Sequence, residues 1–389
     1  MARIKAIQKL SYSTIKLSDN IPAYPTFKYD MGKGFVKFGK KNLFPQELLD
    51  ITAASPINSS IIKSKSIYTL GMGVDTTKFV GQPNFKQSWN QFLDRLILDY
   101  ITFGGYSFQI ILNEDGKSVS LFHQDFSTVR CGEYDEFGTI HNYYISNDYT
   151  KSNIAAIQLP AWNGFKQATK GQPYLFVYNN YVQNMPYYTL PEWYSAINYV
   201  DADGQLGKFY NNAINNNFMP SIMLQMPSDP SPEEKDAFEH NLVNTFSGVE
   251  KVNKILVMWN QSIDNPIKIE KFEASSNTNL YNTIDEKITQ KIITAHRLTS
   301  PTLAGLSGSG NLSGNANEII DSMILFNYSV ILNYRINILN GVNQFVRNNY
   351  NTELSFIDLP IVDKIKELNQ TQTKEEIVED INENLKKLK

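Results

Sequence analysis

The residues able to do covalent or metal chemistry are few and poorly spaced for it. The four histidines, His123, His141, His240 and His296, never stand at i,i+4 to one another, and Cys131 is the only cysteine. A zinc site would need every ligand gathered from a distant segment, without the short ligand spacings of zinc modules. Ordinary polar or packed histidines are the simpler expectation. Cys131 lies between His123 and His141 in neighbouring strand-like segments, so a thiol–imidazole pair and a cysteine hydrolase are one reading. A single cysteine in a hairpin is more often a small buried hydrophobe. No Gly-x-Ser-x-Gly elbow is present. Adjacent carboxylates occur at Asp201 and Asp203 and at Glu233 and Glu234, on segments of helical spacing, where solvated faces explain them better than acid–base work. The run Gly305–Gly314 is glycine-rich but lacks the Gly-Lys-Ser/Thr ending of a phosphate loop and follows a helix rather than a strand. Met31-Gly32-Lys33-Gly34 is too short to serve as one. Catalytic residues, metals and cofactors are therefore expected to be none.

The most informative stretch is Ala295 to Glu318, AHRLTSPTLAGLSGSGNLSGNANE. A helix end, a proline stop, an uncharged loop and a new helix start follow in quick succession, between two long amphipathic patterns. Such an element suits a moving part that faces something large. It suits a fixed catalytic pocket poorly.

Composition narrows the function further. With 389 residues, 42% hydrophobic and 19% charged, the chain can build two or three cored domains. A net charge of -3 argues against tight, general DNA binding, which needs a basic excess. One cysteine excludes an intrachain disulfide framework and fits a reducing compartment. The opening MARIKAIQKLSYSTIK lacks the apolar core of a signal peptide. No apolar run reaches the roughly 18 residues of a membrane span. A soluble intracellular protein is expected.

The elements that must position the loop can be read in order. Met1 to Pro45 reads as an arm with short strands. Ser55-Pro56 opens a helix that Gly71-Met72-Gly73 closes. Phe85, Trp89, Phe92, Leu93, Leu96, Ile97 and Tyr100 stripe another, stopped by Gly104-Gly105. Hairpins follow, 106–112 with 118–122 and 128–133 with 139–145, then short strands at 154–159 and 174–178. Pro191 is placed at the first position of a helix running to Asn217. Its internal Gly204 and Gly207 cost about 1 kcal/mol each against alanine, which close approach of another helix would offset. Pro220 to Phe272 reads as a β-α-β-β insert, its helix starting at Ser231-Pro232-Glu233-Glu234. Leu280, Tyr281, Ile284, Ile288, Ile292 and Ala295 stripe a helix that Ser300-Pro301 ends. From Ala316 to Tyr350 a pattern of roughly 50 Å runs unbroken, with Ile320, Met323, Ile324, Ile331, Tyr334, Ile338, Val342 and Phe345 inward. Glu353 to Leu359 is a last strand, and Thr373-Lys374-Glu375-Glu376 caps a terminal helix striped by Ile377, Ile381, Leu385 and Leu388. The fold class is α+β.

Four short motifs, in this order, resemble the portal proteins of tailed bacteriophages, of the compact HK97-like type. They are Phe103-Gly104-Gly105-Tyr106-Ser107, then Gly207 to Asn212 through Phe218-Met219-Pro220-Ser221, then Phe246-Ser247-Gly248, and finally Ile293 to Pro301 with Leu303-Ala304-Gly305. The likeness spans about Phe85 to Leu359. The tail after Asp363 is shorter than a large crown needs, Thr299-Ser300-Pro301 stands where Val-Pro-Pro is commoner, and the usual charge pattern of the tunnel loop is absent.

The resemblance implies a wing (1–188), a first stem helix (189–219), a clip (220–273) and a second stem helix (274–300). It further implies a tunnel loop (301–315), a long wing helix with returning strand (316–362) and a short crown or tail helix (363–389). It implies Ser307, Gly308, Ser309, Gly310, Asn311, Leu312, Ser313, Gly314 and Asn315 as the DNA-facing loop, and docking through Glu233, Glu234, Lys251 and Lys254 of the clip. The function implied is a ring, commonly a dodecamer, at one capsid vertex. It passes double-stranded DNA in packaging and ejection, and meets the major capsid protein, the terminase and a head–tail adaptor. The location implied is the virion, and the host cytoplasm during assembly. An uncharged loop fits that role, because a strongly basic lumen would hold DNA in place. The alternatives are another virion adaptor without a DNA channel, or the cysteine hydrolase.

Overall fold

The computed structural model describes residues 24–75, 77, 81–151, 155–215, 222–226, 231, 233, 234, 237, 255–259, 269–271, 278–306 and 316–359. A hairpin comes first, β1 (Phe27–Asp30) against β2 (Phe35–Phe38). Helix α1 (Phe44–Ala54) follows and buries Phe44, Leu48 and Ile51. It is an addition to the sequence reading, which ended the arm at Pro45. Pro45 in fact sits in the first turn of α1, where its missing N–H costs nothing. Ser55 then accepts from the Asn58 amide and caps α2 (Pro56–Leu70).

Helix α3 (Trp89–Phe103) opens on a capping box between Ser88 and Gln91 and closes on Gly104 in the left-handed region, φ 84°. A side chain at Gly104 would also run into the Leu190 carbonyl. Phe85, expected on the buried stripe, precedes the helix and is 80% exposed.

Strand β3 (Gly105–Leu112) is the centre of a sheet, flanked antiparallel by β4 (Val119–Gln124) and β8 (Pro173–Asn179). Its alternation puts Tyr106, Phe108 and Ile110 on one buried face. Phe92 of α3 meets Phe108 edge-on at 5.7 Å, and Phe345 of the last helix meets it at 5.6 Å. A second sheet holds β5 (Val129–Cys131), β6 (Asn142–Ile145) and β7 (Ile157–Pro160), both expected hairpins being present.

The chain then turns helical. Pro191 is extended, and Glu192–Ala196 form a 3₁₀ turn before α4 (Ile197–Asn215). The proline thus caps the segment from outside rather than occupying its first turn. Of the two helix glycines, Gly204 meets its expected neighbour, since a Cβ there would lie 3.0 Å from the Ala54 Cβ. Gly207 meets nothing within 4 Å.

The insert carries a three-stranded sheet with β9 (Ile222–Met226) between β10 (Ile255–Trp259) and β11 (Ile269–Lys271). β10 runs parallel to β9 and β11 antiparallel. A parallel neighbour requires a crossover, and the helical residues Glu233, Glu234 and Ala237 lie in it. Ser231 and Glu234 form the cap, with the Ser231 amide donating to Glu234 Oε2 at 3.0 Å.

Helix α5 (Thr278–Ala295) ends before the proline that was expected to stop it. Arg297 turns into the left-handed region, φ 55°, and Pro301 instead begins a 3₁₀ turn, Pro301–Ala304. On its stripe Ile288 and Ile292 are buried, whereas Ile284 is exposed. The long pattern after the loop is continuous but not uniform. It comprises α6 (Ala316–Phe326), a π turn (Asn327–Ile331) and α7 (Leu332–Tyr350). The returning strand is reduced to one bridge, Val74 with Phe356. The expected tail helix lies outside the described residues. Among the described residues no helix is long and apolar enough to cross a membrane.

Candidate functional site

The uncharged loop sits between two pinned ends. On its N-terminal side, the Tyr68 hydroxyl donates to the Leu303 carbonyl at 3.0 Å and the Ser60 hydroxyl donates to the Ala304 carbonyl at 2.7 Å. Both donors belong to α2, so the 3₁₀ turn is tied to that helix. On the other side, the Thr299 hydroxyl donates to the Ser322 carbonyl of α6 at 2.6 Å. Ser307 to Asn315 themselves lie outside the described residues. Of the four docking positions implied for the insert, Glu233 and Glu234 are exposed in a first helical turn, and Lys251 and Lys254 lie outside the described residues.

Elsewhere in the described chain, four elements meet at one carboxylate. Glu192, at the head of the 3₁₀ turn before α4, takes the Lys65 ammonium of α2 at 3.0 Å and the Arg297 guanidinium after α5 at 2.9 Å. Tyr334 of α7 donates its hydroxyl to the same carboxylate. Lys65 also donates to the Tyr334 hydroxyl at 2.9 Å, and Arg297 reaches on to the Ser329 carbonyl in the π turn at 2.8 Å. Thus one cluster joins α2, the approach to α4, the exit of α5 and the wide turn of the long helix. A π turn frees backbone carbonyls from the regular ladder, and here one of them receives a guanidinium.

Burial sets the protonation of the cluster. Lys65 is 1% exposed, and loss of water lowers its pKa to about 8, against the opposing pull of Glu192. For Glu192, burial pushes upward, but Lys65, Tyr334 and Arg297 together bring its pKa below the ordinary value. Tyr334 is driven well up by burial and then by the Glu192 charge. The neighbouring His296 is buried, stacks on Trp193 at 6.3 Å and sits 2.7 Å from Asn58 Oδ1. Burial first and Lys65 second lower its pKa well below the usual range, so it is a neutral packing residue. A metal role is unsupported: among the described residues no three His, Cys, Asp or Glu come together.

The sequence reading did not single out Lys65, Arg297 or Tyr334 as a set. One signal was present. Lys65 shares the face of α2 occupied by Asn58, Ile61, Ile62 and Thr69, so its charge falls on a buried stripe. Asp203 was expected on a solvated face and is instead buried. It accepts from the Ile57 amide at 3.2 Å and from the Ser55 hydroxyl at 2.5 Å, which places a carboxylate at the start of α2 where the helix dipole favours it.

The thiol–imidazole pair does not form. The Cys131 thiol donates to the Tyr187 carbonyl at 3.2 Å, and burial raises its pKa to about 12. His123 is held by Asp99 at 2.9 Å and His141 by Asp135 at 2.7 Å. A nucleophilic thiolate needs a lowered pKa and an accessible site, and Cys131 has neither. We expect the native protein to leave a thiol reagent such as DTNB unconsumed, with one equivalent reacting once urea unfolds the chain. Fast reaction in the native state would restore the hydrolase reading.

No protein-family model and no curated protein matches the sequence. Solved structures do match. A chain in the neck of a native GTA particle, computed with C12 symmetry, superposes with a TM-score of 0.54 at 10% identity, over 84% of this chain and 89% of that one. A chain in the neck of an empty GTA particle, computed with C6 symmetry, gives 0.56 at 12%, over 83% and 87%. An HK97 family phage portal protein from Corynebacterium diphtheriae aligns more loosely, at 0.45 and 12%, over 80% and 94%. The fold of this chain is therefore the fold of those GTA neck chains, and the α+β class expected from the sequence holds.

Proposed function

We propose that this chain is the subunit of a portal ring, a structural conduit for double-stranded DNA at one vertex of a capsid. The observation that carries the reading is the shared fold over more than four-fifths of both chains with necks computed at C12 and C6 symmetry. In this reading residues 1–188 are the wing, 189–219 and 274–300 the paired stem segments, and 220–273 the clip. The loop 301–315 faces the lumen, 316–362 form the wing helix behind it, and 363–389 are a short crown. The ring is a homo-oligomer, a dodecamer by analogy with the C12 neck. It works in the virion and assembles in the host cytoplasm. The terminase and the head–tail adaptor dock in turn on the clip, with Glu233, Glu234, Lys251 and Lys254 as contacts, and the major capsid protein surrounds the wing.

The loop chemistry supports the same reading. Ser307 to Asn315 carry no charge, so they can touch phosphates through weak hydrogen bonds without the counterion-release affinity that would arrest sliding. Hydrogen bonds on both flanks hold the base of the loop in place.

Class-averaged electron micrographs of the purified protein test the proposal. Annular particles with a central channel are expected. A strictly monomeric protein at high concentration, with or without assembly partners, would overturn it. Within the ring reading, replacing Ser307 to Asn315 should abolish DNA packaging and leave the annulus intact. Unimpaired packaging would reduce the chain to an adaptor without a DNA-facing role.

A further inference from the structure

A groove opens where α1, α2 and α3 meet the 3₁₀ turn Phe126–Thr128. Its volume is about 340 Å³, at the small end of ligand sites. Leu49, Ile62, Leu98 and Phe103 give it apolar walls, and Leu49 and Leu98 leave it open to solvent. Three side chains with oxygen acceptors interrupt those walls. Asp99 and Thr102 stand about one turn apart on α3, and Asp125 comes just before the 3₁₀ turn.

These acceptors are short of donors. Asp99 is 8% exposed, and its Oδ2 takes both of its hydrogen bonds, to His123 Nε2 at 2.9 Å and from the Phe126 amide at 3.2 Å. Among the described residues its Oδ1 has no partner. Thr102 is 5% exposed, and its hydroxyl has no partner among them either. Neither atom is sealed from solvent, so both are open to the groove that their residues line. Buried polar groups are as a rule hydrogen-bonded, and here two on one helix face are not. Asp125 uses only Oδ1, for the Ser127 amide at 2.8 Å. Burial raises the Asp99 pKa to about 6, and the Asp125 charge pushes it the same way. Lys63 also lines the groove, but it is exposed and among the described residues makes no ion pair with either acid.

We propose that this groove binds a small free aliphatic amine by its ammonium group. An ammonium has three N–H donors and no acceptor, which matches Asp99 Oδ1, the Thr102 hydroxyl and the second oxygen of Asp125. The alkyl chain then lies along the apolar walls. An anion would meet two carboxylates instead. A metal ion would lack ligands, since among the described residues no three His, Cys, Asp or Glu come together. A lysine of a docking protein carries the same head group, but such a partner needs about 800 Å² of contact on each side. The rim beside Leu49 and Leu98 suits that poorly, because Asp50, Lys63, Asp94 and Arg95 are exposed there and the centres of protein interfaces are depleted in charge. The site goes beyond the ring reading and does not require it, because it lies within one subunit.

Isothermal titration of the full-length chain with n-pentylamine tests the site, in whatever oligomer the protein forms and at about pH 7.5, where Asp99 is ionised. One amine per subunit is expected, with a Kd of about 1 mM or tighter, within what a ligand of this size can supply. n-Pentanol, which keeps the chain but not the charge, should bind about ten-fold more weakly. Asp99→Asn should weaken the amine about ten-fold or more, and Thr102→Val about five-fold. The asparagine keeps an oxygen for His123 and the Phe126 amide. If it nonetheless prevents folding, Thr102→Val carries the test, since that hydroxyl holds nothing among the described residues. No heat with about 10 mM amine, equal affinity for amine and alcohol, or an affinity unmoved by Thr102→Val would overturn the proposal. So would binding of a lysine-containing peptide without binding of the free amine, which would assign the groove to a protein partner. None of these results bears on whether rings form.

Discussion

Replacing Glu192 with alanine should lower the unfolding free energy by about 3 kcal/mol, the low end of the cost of breaking a buried ion pair. The low end applies because the Glu192 side chain is 28% exposed, whereas Lys65 is almost fully enclosed. The loss comes less from the missing attraction than from the stranded charge. Without Glu192, the Lys65 ammonium keeps only the Tyr334 hydroxyl, and Arg297 keeps the Ser329 carbonyl. Adding Lys65→Met removes the stranded charge and should recover most of the loss, which a double-mutant cycle in urea measures directly. If the double variant is as unstable as Glu192→Ala alone, the cluster is not the source of the effect.

The acid side of the same cluster has a defined sign. The folded-state pKa of Glu192 lies below the ordinary 4.5, so between the two values the unfolded chain binds more protons than the folded one. Its stabilisation is therefore complete above about pH 4.5 and declines as pH falls through the folded value. Lys65 has the opposite consequence at high pH. Its pKa is depressed to about 8, so deprotonation between there and 10.5 relieves a burial cost rather than removing a gain. The Glu192→Ala variant should show a flatter acid limb than the parent.

What could be read from the sequence depended on how local each cause was. The start of α2 was legible because Ser55 caps it from three residues away, and the end of α3 because Gly104 must adopt a left-handed turn. The β9–β10 crossover was legible because Ser231 and Glu234 sign the start of its helix. Helix α1 was missed although Phe44, Leu48 and Ile51 have helical spacing, because Pro45 was taken as the close of an arm rather than the opening of a helix.

The π turn had no local sign. It is matched by a guanidinium arriving from Arg297, thirty-two residues away in the chain. Asp203 was misjudged for the same reason, since the Ser55 it serves is 148 residues distant. The loop was conspicuous because its composition is self-contained. The Glu192 cluster was not, because it draws one residue from each of four separated elements.

The other large effect is expected at Arg130, which no sequence pattern marks. Its guanidinium is fully buried in β5, and every hydrogen-bond partner is a neutral oxygen. Nη1 donates to the Ser127 and Val129 carbonyls at 2.9 and 2.7 Å, and Nη2 to the Asn42 carbonyl at 2.8 Å and Gln46 Oε1 at 3.2 Å. Nε reaches Asn42 Oδ1 at 2.7 Å, and the group lies 4.2 Å above the centre of the Tyr149 ring. Asn42 is itself held at φ 61°, so the arginine fixes a strained turn between β2 and α1. Burial lowers the arginine pKa, yet a guanidinium remains charged in proteins, so five donors must be satisfied and are. Arg130→Met keeps the volume but strips donors from several buried carbonyls at about 1–3 kcal/mol each, for a total loss of about 3–5 kcal/mol. Arg130→Lys should lose about 2 kcal/mol, because a single ammonium cannot serve acceptors spread around a planar fork. Urea unfolding followed by tryptophan fluorescence reads both. A methionine variant within 1 kcal/mol of the parent would mean that the surrounding carbonyls find water, and that the arginine does not hold the β2–α1 turn to β5.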